Sequence, residues 1–143
     1  MGNAVAAAPG LAEFEGAWRL ERRIEDALAG ETWAFTGQAR FEPLGDGLDY
    51  RETGTLSSPG GYSMQAERRY LWRTGAAGLD VYFAGGGFFH HIPAGELHPE
   101  AAHPCGADLY RVRYDFGDWP CWHAMWQVRG PRKDYVLHSS YRR

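Results

Sequence analysis

Cysteine is nearly missing from this chain, with only Cys105 and Cys121 among 143 residues. A disulfide-stapled scaffold is not expected, and both thiols read as reduced. Positive charge is not in excess either. The net charge of -3 lacks the electrostatic footprint of a nucleic-acid-binding protein. No apolar run is long enough to span a membrane, and Met1 to Leu11 lacks the basic start and apolar stretch of a signal peptide. The expectation is a cytoplasmic protein with neither a membrane nor a nucleic acid as partner. A repeat of fixed period and a low-complexity linker are also missing, so the chain reads as one folded unit. Residues 1–12 read as a flexible segment and residues 13–143 as the domain, with a short helical turn between Pro9 and Glu15.

What the chain has instead is turn formers and rings: 19 glycines, 8 prolines and 15% aromatic residues. That combination favours many short strands over helices. Near the end, Asp108–Phe116, Trp119–Arg129 and Asp134–Arg142 are rich in aromatic and β-branched residues and are split by Gly117-Asp118 and Gly130-Pro131. This is the pattern of consecutive antiparallel strands. Neighbouring side chains of a strand point to opposite faces. Tyr110, Val112, Tyr114 and Phe116 therefore share a face, as do Trp122, Ala124, Trp126 and Val128. Tyrosines on an apolar face need partners for their hydroxyls, which implies a wet or ligand-filled interior.

The upstream half alternates in the same way. Trp18, Leu20, Arg22 and Ile24 fall on one face of Gly16–Asp26, and Trp33, Phe35, Gly37, Ala39 and Phe41 on one face of Thr32–Phe41. Leu44-Gly-Asp-Gly-Leu48 is a hairpin signal. Beyond it Leu48, Tyr50, Glu52, Gly54 and Leu56 line up, followed by Met64, Ala66, Arg68, Tyr70 and Trp72. Leu79–Ala84 and Phe88–Ile92 flank Gly85-Gly86-Gly87, and Pro93–Gly106 reads as a loop or a broken strand. An open sheet of this extent would expose apolar edges. The expected fold is therefore all-β, a single antiparallel up-and-down barrel of about eight to ten strands, with a sandwich as the alternative. Inward Gly37, Ala39, Gly54, Ala66 and Ala124 are expected to leave room for a cavity.

Gly16-x-Trp18 is similar to the Gly-x-Trp mark of the calycins, the lipocalin-like barrels. The resemblance implies a tryptophan that plugs one end beneath a basic residue from the last strand, where Arg142 stands. A more specific set is Arg68-Arg-Tyr-Leu-Trp72, Val81-Tyr-Phe83, Phe89-His90, His103-x-Cys105-x-x-Asp108-x-Tyr110, Trp119-Pro120 and Gly130-Pro-Arg-Lys-Asp-Tyr135 through Ser140-Tyr-Arg142. In order and spacing these resemble the domain-of-unknown-function family 6314, assigned to calycin-like barrels, from about Phe14 to Arg142. One departure is Gly85-Gly86-Gly87, where the family pattern has Asp-Gly-Arg, so any role of that loop's charge does not carry over. The resemblance implies the fold and marks the matched positions; it implies no activity.

The chemistry starts from charges on inward faces. Arg22, Glu52 and Arg68 sit on separate strands, and an unpaired buried charge costs several kcal/mol. They either close an internal network or leave one positive charge for an anionic or carbonyl-bearing ligand. Tyr50 and Tyr70 accompany them. His90, His91, His98, His103 and Cys105 cluster in sequence, but without the close ligand pairs of a metal site, so no metal is expected. Cys105 reads as a buried filler or as a nucleophile assisted by His103 or His90. Asp108 and Tyr110 share its face unless Pro104 and Gly106 make a bulge.

The expected function is binding of a small, partly polar, aromatic or anionic molecule. Arg22, Tyr50, Glu52, Arg68 and Tyr70 lie inside the barrel and His90, His103 and Tyr110 near its mouth, with Cys105, Asp108 and Trp126 beside them. The alternative is a cofactor-free lyase or isomerase that transfers protons with Arg, Glu, Tyr and His on the same barrel. A metal or haem carrier stands behind both. No cofactor is called for, no catalytic residue is assigned, and a homodimer is left open.

Overall fold

The computed structural model describes residues 7–143. The first half of the expected flexible segment, residues 1–6, lies outside the described residues; Pro9 is buried, and Leu11–Phe14 forms one 3-10 turn. Strands follow from alternating apolar residues: β1 Gly16–Asp26, β2 Glu31–Leu44, β3 Gly47–Ser57, β4 Ser63–Gly75 and β5 Gly78–Phe83. Then come β6 Phe88–Pro93, β7 Glu100–Cys105, β8 Asp108–Asp115, β9 Trp122–Gly130 and β10 Lys133–Arg142. They form a 10-stranded antiparallel sheet in the order β6-β5-β4-β3-β2-β1-β10-β9-β8-β7. The sheet curls into an up-and-down barrel that is nearly closed: β6 and β7 meet at a seam without a ladder between them. Among the described residues no helix is long and apolar enough to cross a membrane.

The stretch Pro93–Gly106, expected as a loop or broken strand, contains β7. It pairs Cys105 with Asp108 and His103 with Tyr110. Pro104 does not prevent this, because β7 is an edge strand and an edge position needs no donor on its open side. Gly106, at φ 62°, makes the tight turn back into β8.

One end of the barrel is shut by rings. Phe14 on the 3-10 turn packs against Phe41, Trp72, Phe116, Trp119 and Trp122 with ring centroids 4.9–5.8 Å apart. Trp18 donates its indole hydrogen to the Phe14 carbonyl at 2.8 Å. The basic residue over this tryptophan is Arg143 and not Arg142. The Arg143 guanidinium lies 3.9 Å from the Trp18 ring centroid and donates to the carbonyls of Glu15, at 3.0 Å, and Glu13. Alternation explains the shift: Tyr141 is buried, so Arg142 points outward, where it meets Glu21 at 3.6 Å.

The inward glycines do not open the interior. Gly37 and Gly54 are directly paired across β2 and β3, and a Cβ on Gly37 would fall 2.1 Å from the Thr53 carbonyl oxygen. They permit close approach of two backbones. Gly37→Ala is expected to lower stability by about 1–3 kcal/mol, the usual cost of overpacking. Urea unfolding of the variant against the wild type checks this, and an unchanged midpoint would refute the close-approach account.

Candidate functional site

Alternation on β1, β3 and β10 brings five polar side chains together inside the barrel. Arg22 makes a bidentate pair with Glu52, Nη1 to Oε1 at 2.7 Å and Nη2 to Oε2 at 3.0 Å, and its Nε donates to Ser139 Oγ at 2.7 Å. The Tyr50 hydroxyl donates to Glu52 Oε2 at 2.6 Å and lies 2.9 Å from the Tyr141 hydroxyl. Glu52 is 2% exposed. Burial alone would raise its pKa, but the hydrogen bonds from Arg22 and Tyr50 hold it below the usual carboxylate range. Burial likewise works against the Arg22 charge, and the bond to Glu52 outweighs it. An ionised Glu52 can only accept, so the single Tyr50 proton goes to it, and the Tyr141 hydroxyl must donate to Tyr50. Burial raises the Tyr50 pKa well above the phenol range and that of Tyr141 to about 12. The network is closed and carries no net charge.

Above it lies a cavity of about 320 Å³. Of the residues expected from sequence, Arg22, Tyr50, Glu52, Arg68, Tyr70, His90, His103, Cys105, Tyr110 and Trp126 line it. Asp108 does not; it sits beside the hairpin turn and pairs with Lys133 at 3.1 Å. Ala124 is the one small inward residue of the expected set that borders the cavity. The walls are aromatic: Phe89 stacks on Trp126 at 5.0 Å and on Phe83 at 4.4 Å. Arg68 was expected inside but is exposed, and it borders the cavity toward the hairpin ends of the barrel. Several lining residues were not expected as site residues, among them Phe83, Phe89, Tyr114, Trp122, Tyr135, Leu137 and Tyr141. For those on β10 the signal was the same alternation, since Tyr135, Leu137, Ser139 and Tyr141 share one face of β10.

The histidines do not converge. Among the described residues no group of three or more His, Cys, Asp or Glu side chains is placed to hold a metal ion. His91 pairs with Asp80 at 2.6 Å and His98 with Asp115 at 3.2 Å. His103 meets the Phe83 and Phe89 rings edge-on at the seam. His90, expected near the mouth, is only 3% exposed, and its Nε2 is 2.8 Å from the Tyr114 hydroxyl. The reason is a register shift opposite Val81 and Tyr82, which adds a residue to β6 and leaves both Phe89 and His90 buried on the cavity. Cys105 is no buried filler: both cysteines are free and exposed.

Two predictions follow from the buried groups. Arg22→Met or Glu52→Gln alone is expected to cost about 3–5 kcal/mol, since each strands a buried polar or charged partner. The double variant is expected to cost less than the sum, and additive losses in a double-mutant cycle would contradict the closed network. Burial, helped by His103 and His91, lowers the His90 pKa from 6.5 to about 3. The unfolded chain takes up a proton that the native state refuses. Stability from a neutral His90 is thus complete above about pH 6.5 and is lost as pH falls toward 3, by up to about 1.4 kcal/mol per unit. His90→Gln is expected to flatten that part of the stability-pH curve relative to the wild type. Parallel curves would rule it out.

No curated protein matches the chain in sequence. Among solved structures it resembles that of the S-type phycobiliprotein lyase CPES from Guillardia theta, at 8% identity and a TM-score of 0.61, over 92% of this chain and 87% of that one. At that identity the likeness concerns the fold, and it fits the calycin-like barrel. Residues 14–143 match a described family over nearly the whole chain, and the protein belongs to it: the Family of unknown function (DUF6314).

Proposed function

We propose that this barrel is a small-molecule binding protein that holds a partly polar, aromatic or anionic guest in its cavity. The observation that carries the reading is the cavity itself. Its volume of about 320 Å³ reaches the range of ligand pockets, about 300–1,000 Å³, and it is walled by stacked rings. The Arg22–Glu52 network beneath is satisfied without a guest. Two exposed thiols suit a reducing cytoplasm.

The alternative, a cofactor-free lyase or isomerase, has one observation in its favour: the structurally similar protein is described as a lyase. It needs a group free to move a proton. Glu52 already accepts from Arg22 and Tyr50, and Tyr50 and Tyr141 are bound to each other. The network thus speaks against proton transfer by Glu52, Tyr50 or Tyr141.

Native mass spectrometry of freshly purified protein tests the reading. A bound small molecule is expected, released on denaturation with its mass unchanged and missing from Ala124→Phe, which fills the cavity from β9. Retention of the same molecule by a folded Ala124→Phe would place it outside the barrel, and release of a converted product would favour the enzyme.

A further inference from the structure

Hydrogen-bonding capacity is distributed unevenly along the cavity. In its lower half most polar groups are spent on one another: Arg22, Tyr50, Glu52, Ser139 and Tyr141 in the network, and Tyr114 with His90 Nε2; the exceptions among the described residues are two uncharged ring nitrogens, Trp122 Nε1 and His90 Nδ1, buried without a partner. Toward the hairpin ends the balance reverses. Arg68 occupies an inward register position on β4, opposite Glu52 on β3, yet Glu52 is committed to Arg22. Among the described residues Arg68 makes no ion pair, whereas the other cations at the cavity, Arg22 and the neighbouring Lys133, each have a carboxylate at 2.7 and 3.1 Å.

The phenols beside Arg68 are in the same condition. Tyr70 and Tyr135 are half-buried on the cavity, and among the described residues their hydroxyls have no hydrogen-bond partner. Tyr110 accepts from Lys133 Nζ at 3.2 Å, so its own proton remains to be given. One guanidinium and three phenols thus border the upper cavity as donors with nothing among the described residues to receive them. His103 and the Cys105 thiol are the remaining polar side chains there, and neither is an anion-strength acceptor in its neutral form. Below them, Phe89 lies nearly parallel to Trp126 and Phe83, with interplanar angles of 13° and 23°.

We propose that the guest is an aromatic monoacid, held with its anionic group outward between Arg68 and the hydroxyls of Tyr70, Tyr110 and Tyr135, and with its ring system inward among Phe83, Phe89 and Trp126. This rests on the binding reading and narrows it. The neutral network below offers no second site for charge, which sets the limit at one acidic group. Arg68 is then the residue that determines specificity: a planar fork matches a carboxylate or sulfonate in a bidentate way that a point charge does not. Since the cavity opens at that end, the acidic group stays near water, and its desolvation cost is small compared with full burial.

Two fluorescent probes with one skeleton test this on the full chain: anilinonaphthalene sulfonate and its uncharged parent, N-phenylnaphthylamine. Signal that survives in folded Ala124→Phe, or in Val128→Phe if the first does not fold, is surface binding and is subtracted. The wild type is expected to prefer the sulfonate by about tenfold or more, in line with one charge-assisted hydrogen-bonded contact. Arg68→Met is expected to abolish that preference through loss of sulfonate affinity, and Arg68→Lys to restore part of it. Tyr70→Phe and Tyr135→Phe are each expected to weaken the sulfonate alone, by a few-fold. Equal affinity of the wild type for both probes would overturn the acid clamp and leave cavity binding intact. Unchanged preference in Arg68→Met would overturn it as well. Failure of both probes to bind the cavity would sink the clamp together with the binding reading.

Discussion

A salt bridge sealed inside the barrel sets the terms for everything around it. Taking a guanidinium and a carboxylate out of water costs several kcal/mol per ion, and only good geometry with further hydrogen bonds offsets that. Arg22 and Glu52 have both: two short bonds to each other, with Ser139 and Tyr50 completing the shell. The pair joins β1 to β3 across the intervening β2, where Phe35 stands opposite Arg22, Ala39 opposite Glu52 and Gly37 between them. The Arg22 guanidinium lies over the Phe35 ring, 5.5 Å from its centroid, on the way to Glu52. Tyr141 extends the same network to β10, so three separate strands are held in register by one set of polar contacts.

From that layer the barrel differs in its two directions. Downward, Phe14, Trp18, Phe41, Trp72 and Trp122 fill the lumen and Arg143 covers Trp18. Trp18, Trp122, Phe14 and Phe41 at this end are the largest fully buried side chains among the described residues, and each Å² of apolar surface removed from water stabilises by about 25 cal/mol. Upward, the rings line walls instead of filling space, and polar groups lack partners. The seam between β6 and β7 lies on this side of the architecture, bridged by ring contacts of His103 with Phe83 and Phe89 instead of backbone bonds.

Much of this was legible in the sequence wherever strands keep strict alternation. The faces of β1 to β4 and of β8 to β10 follow from a period of two, and with them the meeting of Arg22 with Glu52. Legibility failed where the period breaks. The extra residue in β6 put His90 deep inside, and no residue type marks such a shift. Pro104 concealed β7, because an edge strand tolerates a proline that a central strand would not. Gly37 and Gly54 looked like empty volume but reflect backbone proximity, since a missing side chain looks the same for either cause. Arg68 has the right register for the lumen, yet it sits where the wall meets solvent; alternation reports the face of a residue and not its depth. Asp108 was misplaced for the same reason: it shares the face of Tyr110, but as the first residue of β8 it sits beside the turn, beyond the cavity, where it meets Lys133.

Depth also decides which groups can recognise anything. A guest that competed for Glu52 or Arg22 would have to break a bidentate bond and strand a buried charge, a loss on the order of 3–5 kcal/mol. Few single contacts recover that much. Groups at the exposed mouth carry no such penalty, since exchanging water for an anion costs little while gaining geometry. The buried polar layer therefore ties the strands together beneath the cavity, whereas at the rim donors outnumber acceptors, and a guest would meet them at little cost. In a barrel built this way the most conspicuous charged pair is a structural element, and the arginine above it, without an ion pair among the described residues, is the cation with charge left to offer.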